Sequence, residues 1–303
     1  MKKFIIGIIL GTIIIAGLSF FLIPAVLTID ESTIIKASPP ATLRVLQNDD
    51  YWKKWWPDNH QEQLTYGKTL FSVREKLYNQ FKIDVVHKSD SINSVLNIIP
   101  LNYDSVQLEW IAVLKTSTNP FTRIRQYFSH SERKKEIKSI LAAMNSYMGD
   151  QKNIYGVDFR REVVSDTLMV SIRKEFTTYP TVLQVDSMIQ ILRNYVAAQN
   201  AKLVDSPMLH VDVLAKDRYS AQVALPTDKA LKNSGQIEFR RMVQGYMLIA
   251  DVKGGQATVL KAISEIENML HDYMRTSPAI PFELMLTDRA KEPDTTKWMT
   301  RIY

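Results

Sequence analysis

The segment Thr181-Val182-Leu183 recurs as Thr258-Val259-Leu260, and at the same offset of 77 residues Ile189 meets Ile266 and Leu192 meets Met269. A repeat of this kind restricts the fold more than composition does, because each copy must build the same small unit and the two must share a core. Each copy opens with a run that reads as a strand, Thr167–Thr177 in the first and Gln244–Val252 in the second. A helix follows in each, then a strand pair. Leu209, Val211 and Val213 alternate in the first copy as Phe282, Leu284 and Leu286 do in the second, now at an offset of 73, so the first connector is four residues longer. Tyr219 and Val223 then match Trp298 and Ile302. The unit is β-α-β-β, twice.

Upstream of the repeat the order is different. Leu27–Ala37 reads as a strand, and Ser38-Pro39-Pro40 is a good helix entry because proline is tolerated in a first helical turn. That helix runs to about Asn48. Asp49–Trp56 reads as a second short helix closed by Pro57. From Leu64 to Thr116, β-branched and aromatic runs broken by turn signals predict an antiparallel sheet. Phe121–Met148 then has helical spacing, with Ile137, Ile140, Leu141, Met144 and Met148 on one stripe. The basic run Arg133-Lys134-Lys135 reads as part of the solvated side of that helix.

At the N-terminus, Phe4–Ile23 is uncharged and about 20 residues long, enough at a rise of about 1.5 Å per residue to cross a hydrocarbon core of about 30 Å. Lys2 and Lys3 precede it and Asp30 and Glu31 follow, so the positive-inside rule predicts a single-pass signal anchor with the soluble domains on the extracytoplasmic side. A cleaved signal peptide would have a shorter apolar region and a small-x-small site, which Pro24-Ala25-Val26-Leu27 does not supply. The chain has no cysteine, which excludes disulfides, thiol nucleophiles and cysteine-based metal sites. A net charge of +6 over 303 residues, with no basic run interleaved with stacking aromatics, gives no indication of a nucleic-acid partner.

Two resemblances follow from these patterns. Strand, two short helices, several strands and one long final helix, with the cluster Trp52-Lys53-Lys54-Trp55-Trp56-Pro57 after the helix pair, resembles the SRPBCC superfamily, the helix-grip fold of polyketide cyclases and lipid-transfer domains. The duplicated unit, ending in Phe282–Asp288 (FELMLTD) and Lys297–Tyr303 (KWMTRIY), resembles the GyrI-like effector-binding domain. The expected architecture is therefore α+β: a transmembrane helix over residues 1–26, a helix-grip domain over 27–150 and a GyrI-like domain over 151–303. The second resemblance implies two pseudo-symmetric halves forming one curved sheet with a small-molecule pocket between them.

Glu283 is the residue most worth singling out. Strand alternation puts Phe282, Leu284 and Leu286 on the helix-covered face and leaves Glu283, Met285 and Thr287 on the other, taken as the pocket face. A carboxylate in a partly apolar cleft favours a cation. By resemblance, the acidic residue of this strand contacts cationic or polar ligands, and the alternative is a solvated or paired strand carboxylate. His210 occupies the equivalent place in the first copy on the offset of 73. Tyr246, Tyr273, Trp298 and Tyr219 are the aromatic candidates for the pocket wall. Gly254-Gly255 reads as a plain strand-to-helix turn rather than an anion cradle, since no phosphate-loop pattern surrounds it.

Some relatives hydrolyse reactive compounds with an acidic residue and a tyrosine in an E-x-Y pattern, where this chain has Glu283-Leu284-Met285; methionine cannot donate a proton, which counts against that activity. The histidines are scattered outside any zinc spacing, so no metal and no cofactor is expected. The resulting expectation is a membrane-anchored, non-catalytic binder or sensor of a cationic or apolar small molecule, with a protein partner carrying any signal. A hydrolase using the same pocket is the alternative, and a scaffold with filled cavities the third reading.

Overall fold

A computed structural model describes residues 16–58, 63–88, 90–164, 167–242, 244–277 and 279–303, together with Gly11 and Ile14. The chain divides into two compact units, residues 1–150 and 151–303.

The first unit is a six-stranded antiparallel sheet, ordered β1-β6-β5-β4-β3-β2, from β1 (Val26–Ile35), β2 (Leu64–Tyr66), β3 (Thr69–Lys76), β4 (Gln80–His87), β5 (Asp90–Asn102) and β6 (Ser105–Lys115). The short helices α1 (Pro39–Gln47) and α2 (Asp49–Trp55) follow β1, and the long α3 (Pro120–Met148) closes the unit. Local chemistry sets these ends. The Ser38 hydroxyl accepts from the Ala41 N–H at the start of α1, the Asn48 side chain from the Asp50 N–H at the start of α2, and the Asn119 side chain from the N–H groups of Phe121 and Thr122 at the start of α3. Trp52, Trp55, Trp56, Phe71 and Trp110 form a continuous chain of rings with neighbouring centroids 5.0 to 5.8 Å apart, so aromatic side chains fill much of this interior. Three indoles also satisfy their N–H groups, Trp52 on the Leu46 carbonyl at 2.7 Å, Trp56 on that of Thr65 at 2.6 Å and Trp110 on the Ser94 hydroxyl at 2.9 Å.

On α3 the expected stripe is buried from Ile137 to Met148, but it continues toward the N-terminus as Arg133, Ser129, Gln126 and Arg123. Arg133 lies one helical turn before Ile137 on the same face and is completely buried, so the solvated placement of the basic run holds only for Lys134 and Lys135. Helical phase, rather than membership of a charge run, decides where this side chain goes.

Among the described residues no helix is long and apolar enough to cross a membrane. This finding corrects the expectation of a transmembrane anchor over Phe4–Ile23, and with it the extracytoplasmic placement derived from that anchor. Within the described part of the stretch, Ser19 and Ile23 are buried, the Arg123 guanidinium donates to the Ile23 carbonyl, and it lies 4.9 Å from the centre of the Phe20 ring. Residues 4–10, 12, 13 and 15 of the stretch lie outside the described residues.

The second unit is an eight-stranded antiparallel sheet with the order β11-β8-β10-β9-β13-β14-β12-β7. Its elements are α4 (Gln151–Tyr155), β7 (Arg160–Val164), β8 (Leu168–Phe176), α5 (Val182–Ala198), β9 (Met208–Ala215), β10 (Arg218–Thr227), β11 (Glu238–Arg241), β12 (Gly245–Lys253), α6 (Gln256–Asp272), β13 (Glu283–Met285), a 3-10 turn (Thr295–Lys297) and β14 (Met299–Ile302). The copies are β8-α5-β9-β10 and β12-α6-β13-β14, and they meet where β9 pairs with β13. The strand order reads the same from both ends under exchange of the copies. Even the leading strands obey this, since β7 pairs with β12 and β11 with β8, each crossing to the other copy.

At the seam Glu283 lies opposite Leu209, and Leu284 opposite Met208. A two-fold relation through this pairing equates Glu283 with Leu209 and His210 with Leu284, one residue away from the offset of 73 read along the chain. The face assignment also changes. Met285 packs with Val185, Met188, Ile189 and Leu192 of α5, whereas Leu284 packs with Met169, Met208 and Ala224 on the opposite side. Glu283 and Met285 therefore belong to the helix-covered face. Both faces of β13 are apolar, so alternation fixes which residues go together but not which set meets the helices.

Candidate functional site

A cavity of about 640 Å³ in the second unit opens between the N-terminal half of α5 and the segment from β13 to the 3-10 turn. The two helix entries frame it. α5 begins with a capping box in which Thr181 and Gln184 satisfy each other's backbone N–H groups, setting Tyr179 and Val185 at the cavity. α6 begins without a side-chain cap after Gly254 and Gly255. Gly254 has φ of +140°, and a Cβ there would stand 2.8 Å from Thr258 Oγ1, so glycine is required. Its N–H donates to the Trp298 carbonyl at 2.9 Å. This is the strand-to-helix turn expected, and it brings Gln256 to the cavity wall.

The floor is apolar: Val185, Ile189, Leu209 and Met285. Beside it stands a connected polar group. Arg289 donates to Glu283 Oε2 at 2.8 Å, to the Thr300 hydroxyl at 2.8 Å and to Gln256 Oε1 at 3.0 Å. Gln256 in turn donates to Glu283 Oε1 at 2.9 Å and to the Tyr179 hydroxyl at 2.8 Å. The Arg289 guanidinium lies 5.0 Å from the centre of the Trp298 ring, and the Trp298 indole N–H donates to the Glu292 carbonyl at 2.9 Å. The Glu283 and Arg289 side chains are 4% and 7% exposed, so this is a buried ion pair whose partners must stay together. Burial, and next the Glu283 carboxylate, push the Tyr179 hydroxyl well above the usual phenol range, so it remains a protonated donor.

Of the seven residues singled out from the sequence, Met285 and Trp298 line this cavity, and Glu283 sits behind its wall, held by Arg289 and Gln256. Tyr219 stands behind Tyr179, ring centroids 5.9 Å apart and edge to face. His210 is turned away, its Nδ1 2.6 Å from the Pro281 carbonyl and its Nε2 2.7 Å from Asp212 Oδ1. Tyr246 is 66% exposed with Arg161 stacked 4.0 Å over its ring, beside a second cavity of about 600 Å³. Tyr273 is buried at the end of α6, where its hydroxyl accepts from Gln151 at 3.3 Å.

Tyr179, Gln256 and Arg289 escaped the sequence reading. Tyr179 and Gln256 are 77 positions apart, the repeat offset itself, so the duplication carried a signal for that pair. For Arg289 the signal was physical. A carboxylate placed in a core strand requires a cation, and Arg289 is the first one after Glu283.

No family model and no curated protein matches the chain. Solved structures do resemble it in part. The chain is similar to EcmrR in a cryo-EM structure of an EcmrR–DNA complex, with 16% identity, 60% of this chain and 70% of that one covered, and a TM-score of 0.44. A hydrolase from Listeria innocua is similar at 10% identity over 48% of this chain and 89% of its own, with a TM-score of 0.37. SAV2435, solved bound to tetraphenylphosphonium, is similar at 16% identity over 48% of this chain and 91% of its own, with a TM-score of 0.31.

Proposed function

We propose that the second unit binds a small molecule in the cavity between α5 and β13, and that it does so without chemistry. The observation that carries this reading is the cavity itself. A volume of about 640 Å³ with an apolar floor and three convergent polar side chains, Tyr179, Gln256 and Arg289, is what a small-molecule site requires. Trp298 adds an aromatic wall held rigid by its indole hydrogen bond.

Binding is favoured over hydrolysis by the state of Glu283. A general base or nucleophile must reach the substrate with a free carboxylate oxygen, and here Oε1 is held by Gln256 and Oε2 by Arg289. Tyr179 supplies a tyrosine beside the acidic residue, the one feature that speaks for the alternative. Turnover of an electrophilic ester by the purified chain, abolished in Tyr179→Phe, would establish hydrolysis instead. The filled-scaffold reading is disfavoured by the open volume in the second unit.

The test is a titration of the full chain with triphenylphosphine oxide, followed calorimetrically, and the same titration of Ile189→Trp. Ile189 lies on the cavity floor and is 7% exposed, so the larger indole fills the space a ligand would take. The expected result is binding to the native chain and a loss of about tenfold or more in the variant. Equal affinity in both would place the ligand elsewhere and end this assignment.

A further inference from the structure

We infer that this cavity takes an uncharged ligand bearing a hydrogen-bond acceptor, and that Arg289 closes Glu283 to cationic ligands. The inference rests on the binding reading above and names its ligand class.

Glu283 is 3% exposed and accepts from Gln256 on one oxygen and from Arg289 on the other. A cation approaching it must displace Arg289, which is also tied to Thr300 and Gln256 and stacked on Trp298. Until it does so it faces a guanidinium across a wall of low dielectric, and like charges repel there. Glu283 is thus an anchor for Arg289 and not a counter-ion for the ligand.

The side chains at the inner polar corner of the cavity present donors. A guanidinium carries five N–H bonds. Arg289 gives two from Nη2, to Glu283 and Thr300, and one from Nη1, to Gln256. One Nη1 hydrogen is left over, and Nε is buried with no hydrogen-bond partner among the described residues. Gln256 spends both amide hydrogens on Tyr179 and Glu283. The Tyr179 hydroxyl accepts that bond and keeps its own hydrogen to give. An acceptor oxygen entering this corner meets Arg289 and Tyr179, both held in place before the ligand arrives.

The carboxylates at the mouth do not restore a preference for cations. Asp186 accepts from the Gln190 amide at 3.2 Å, Asp205 from the Ser206 N–H at 2.7 Å, and Asp288 pairs with Lys291 at 3.0 Å. Asp205 and Asp288 are exposed to water and screened by it. Arg193 stands at the same rim with the opposite charge.

The experiment compares three probes of one shape on the full chain by calorimetry: triphenylphosphine oxide, triphenylphosphine, which lacks the oxygen, and methyltriphenylphosphonium, which replaces the oxygen by a methyl group and carries a positive charge. The expected order is oxide tightest, with the phosphine and the phosphonium each weaker by about tenfold, the value of one charge-assisted hydrogen bond. Arg289→Met reverses the order, because the Glu283 carboxylate behind the wall is then without its cation. The double variant Glu283→Gln with Arg289→Met removes both charges and serves if the single variant does not fold; in it the oxide keeps only the Tyr179 bond, so its lead over the phosphine shrinks, and the phosphonium gains nothing. A phosphonium that binds the native chain as tightly as the oxide overturns the ligand class and leaves the binding reading standing. Failure of all three probes to bind overturns the binding reading, and this inference with it.

Discussion

The Glu283–Arg289 pair allows a stability prediction independent of any ligand. Both side chains are less than a tenth exposed and 2.8 Å apart, and the partners that hold them, Gln256 and Thr300, come from other elements of the second copy. Arg289→Met removes one charge and leaves a carboxylate in a site that excludes water, for which about 3–5 kcal/mol is the usual cost. Glu283→Gln leaves the guanidinium uncompensated and costs a similar amount. The double variant leaves no charge to solvate and retains the Gln256 contact, so its stability falls within about 2 kcal/mol of the native chain, since neutral replacement of a buried pair is often tolerated. The coupling across the cycle is then about 4 kcal/mol or more, well above the half-unit scatter of independent sites. Because the chain has two compact units, unfolding must be followed locally. Native-state hydrogen exchange on peptides of α6 and β14 at increasing urea isolates the second unit. Single variants that cost less than about 1 kcal/mol, or a double variant whose loss equals the sum of the singles, would show that the pair is solvated in solution and refute the reasoning from burial.

Three further outcomes follow from the same physics. Gly254→Ala places a Cβ 2.8 Å from Thr258 Oγ1 at a φ of +140° and is expected to cost more than about 1 kcal/mol by thermal unfolding, whereas Gly245→Ala, with open space around its Cβ, changes little. Arg133 is completely buried and its three guanidinium nitrogens lack hydrogen-bond partners among the described residues, so Arg133→Met, close to it in length, is expected to raise the melting temperature of the first unit, and a marked fall would show that the charge is needed there. Burial lowers His87 and His130 below the usual imidazole value of 6.5, against opposing pulls from Glu136 and Glu132 on His87 and from the Thr28 backbone on His130. The unfolded chain therefore binds these protons first; the first unit keeps its full stability above about pH 6.5 and loses it as pH falls toward the folded values, a slope that His87→Gln should flatten in urea titrations at pH 5 and pH 8.

What was legible in the sequence follows from which physical rule applied to one residue at a time. The Ser38-Pro39-Pro40 helix entry and the α3 stripe from Ile137 to Met148 are local patterns, and α1 and α3 stand where these patterns put them. The repeat was legible because two copies of one unit leave correlated residues 77 apart, and Tyr179 and Gln256, at that spacing, turn out to be hydrogen-bonded. Hydropathy was the weakest guide. It counted Phe4–Ile23 as a span, whereas among the described residues no helix meets that length and apolarity, and Arg123 bonds the Ile23 carbonyl. Membership of a charge run likewise put Arg133 in solvent, although helical phase puts it inside.

The candidate site shows the limit most sharply. Alternation along β13 separated Glu283 and Met285 from Leu284, but the phase of a strand buried on both faces depends on its neighbours, and Leu209 opposite Glu283 fixes it. That pairing puts a carboxylate under helices at the seam between two copies, where its equivalent is a leucine. One acidic side chain at a near-symmetric seam cannot be balanced by its own image, so the balancing cation must come from a position other than its symmetry mate. Arg289 supplies it from the connection between β13 and β14. The duplication thus explains the apolar cavity floor, which both copies supply through Leu209 and Met285, while the charged part of its polar corner, Glu283 and Arg289, belongs to the second copy alone.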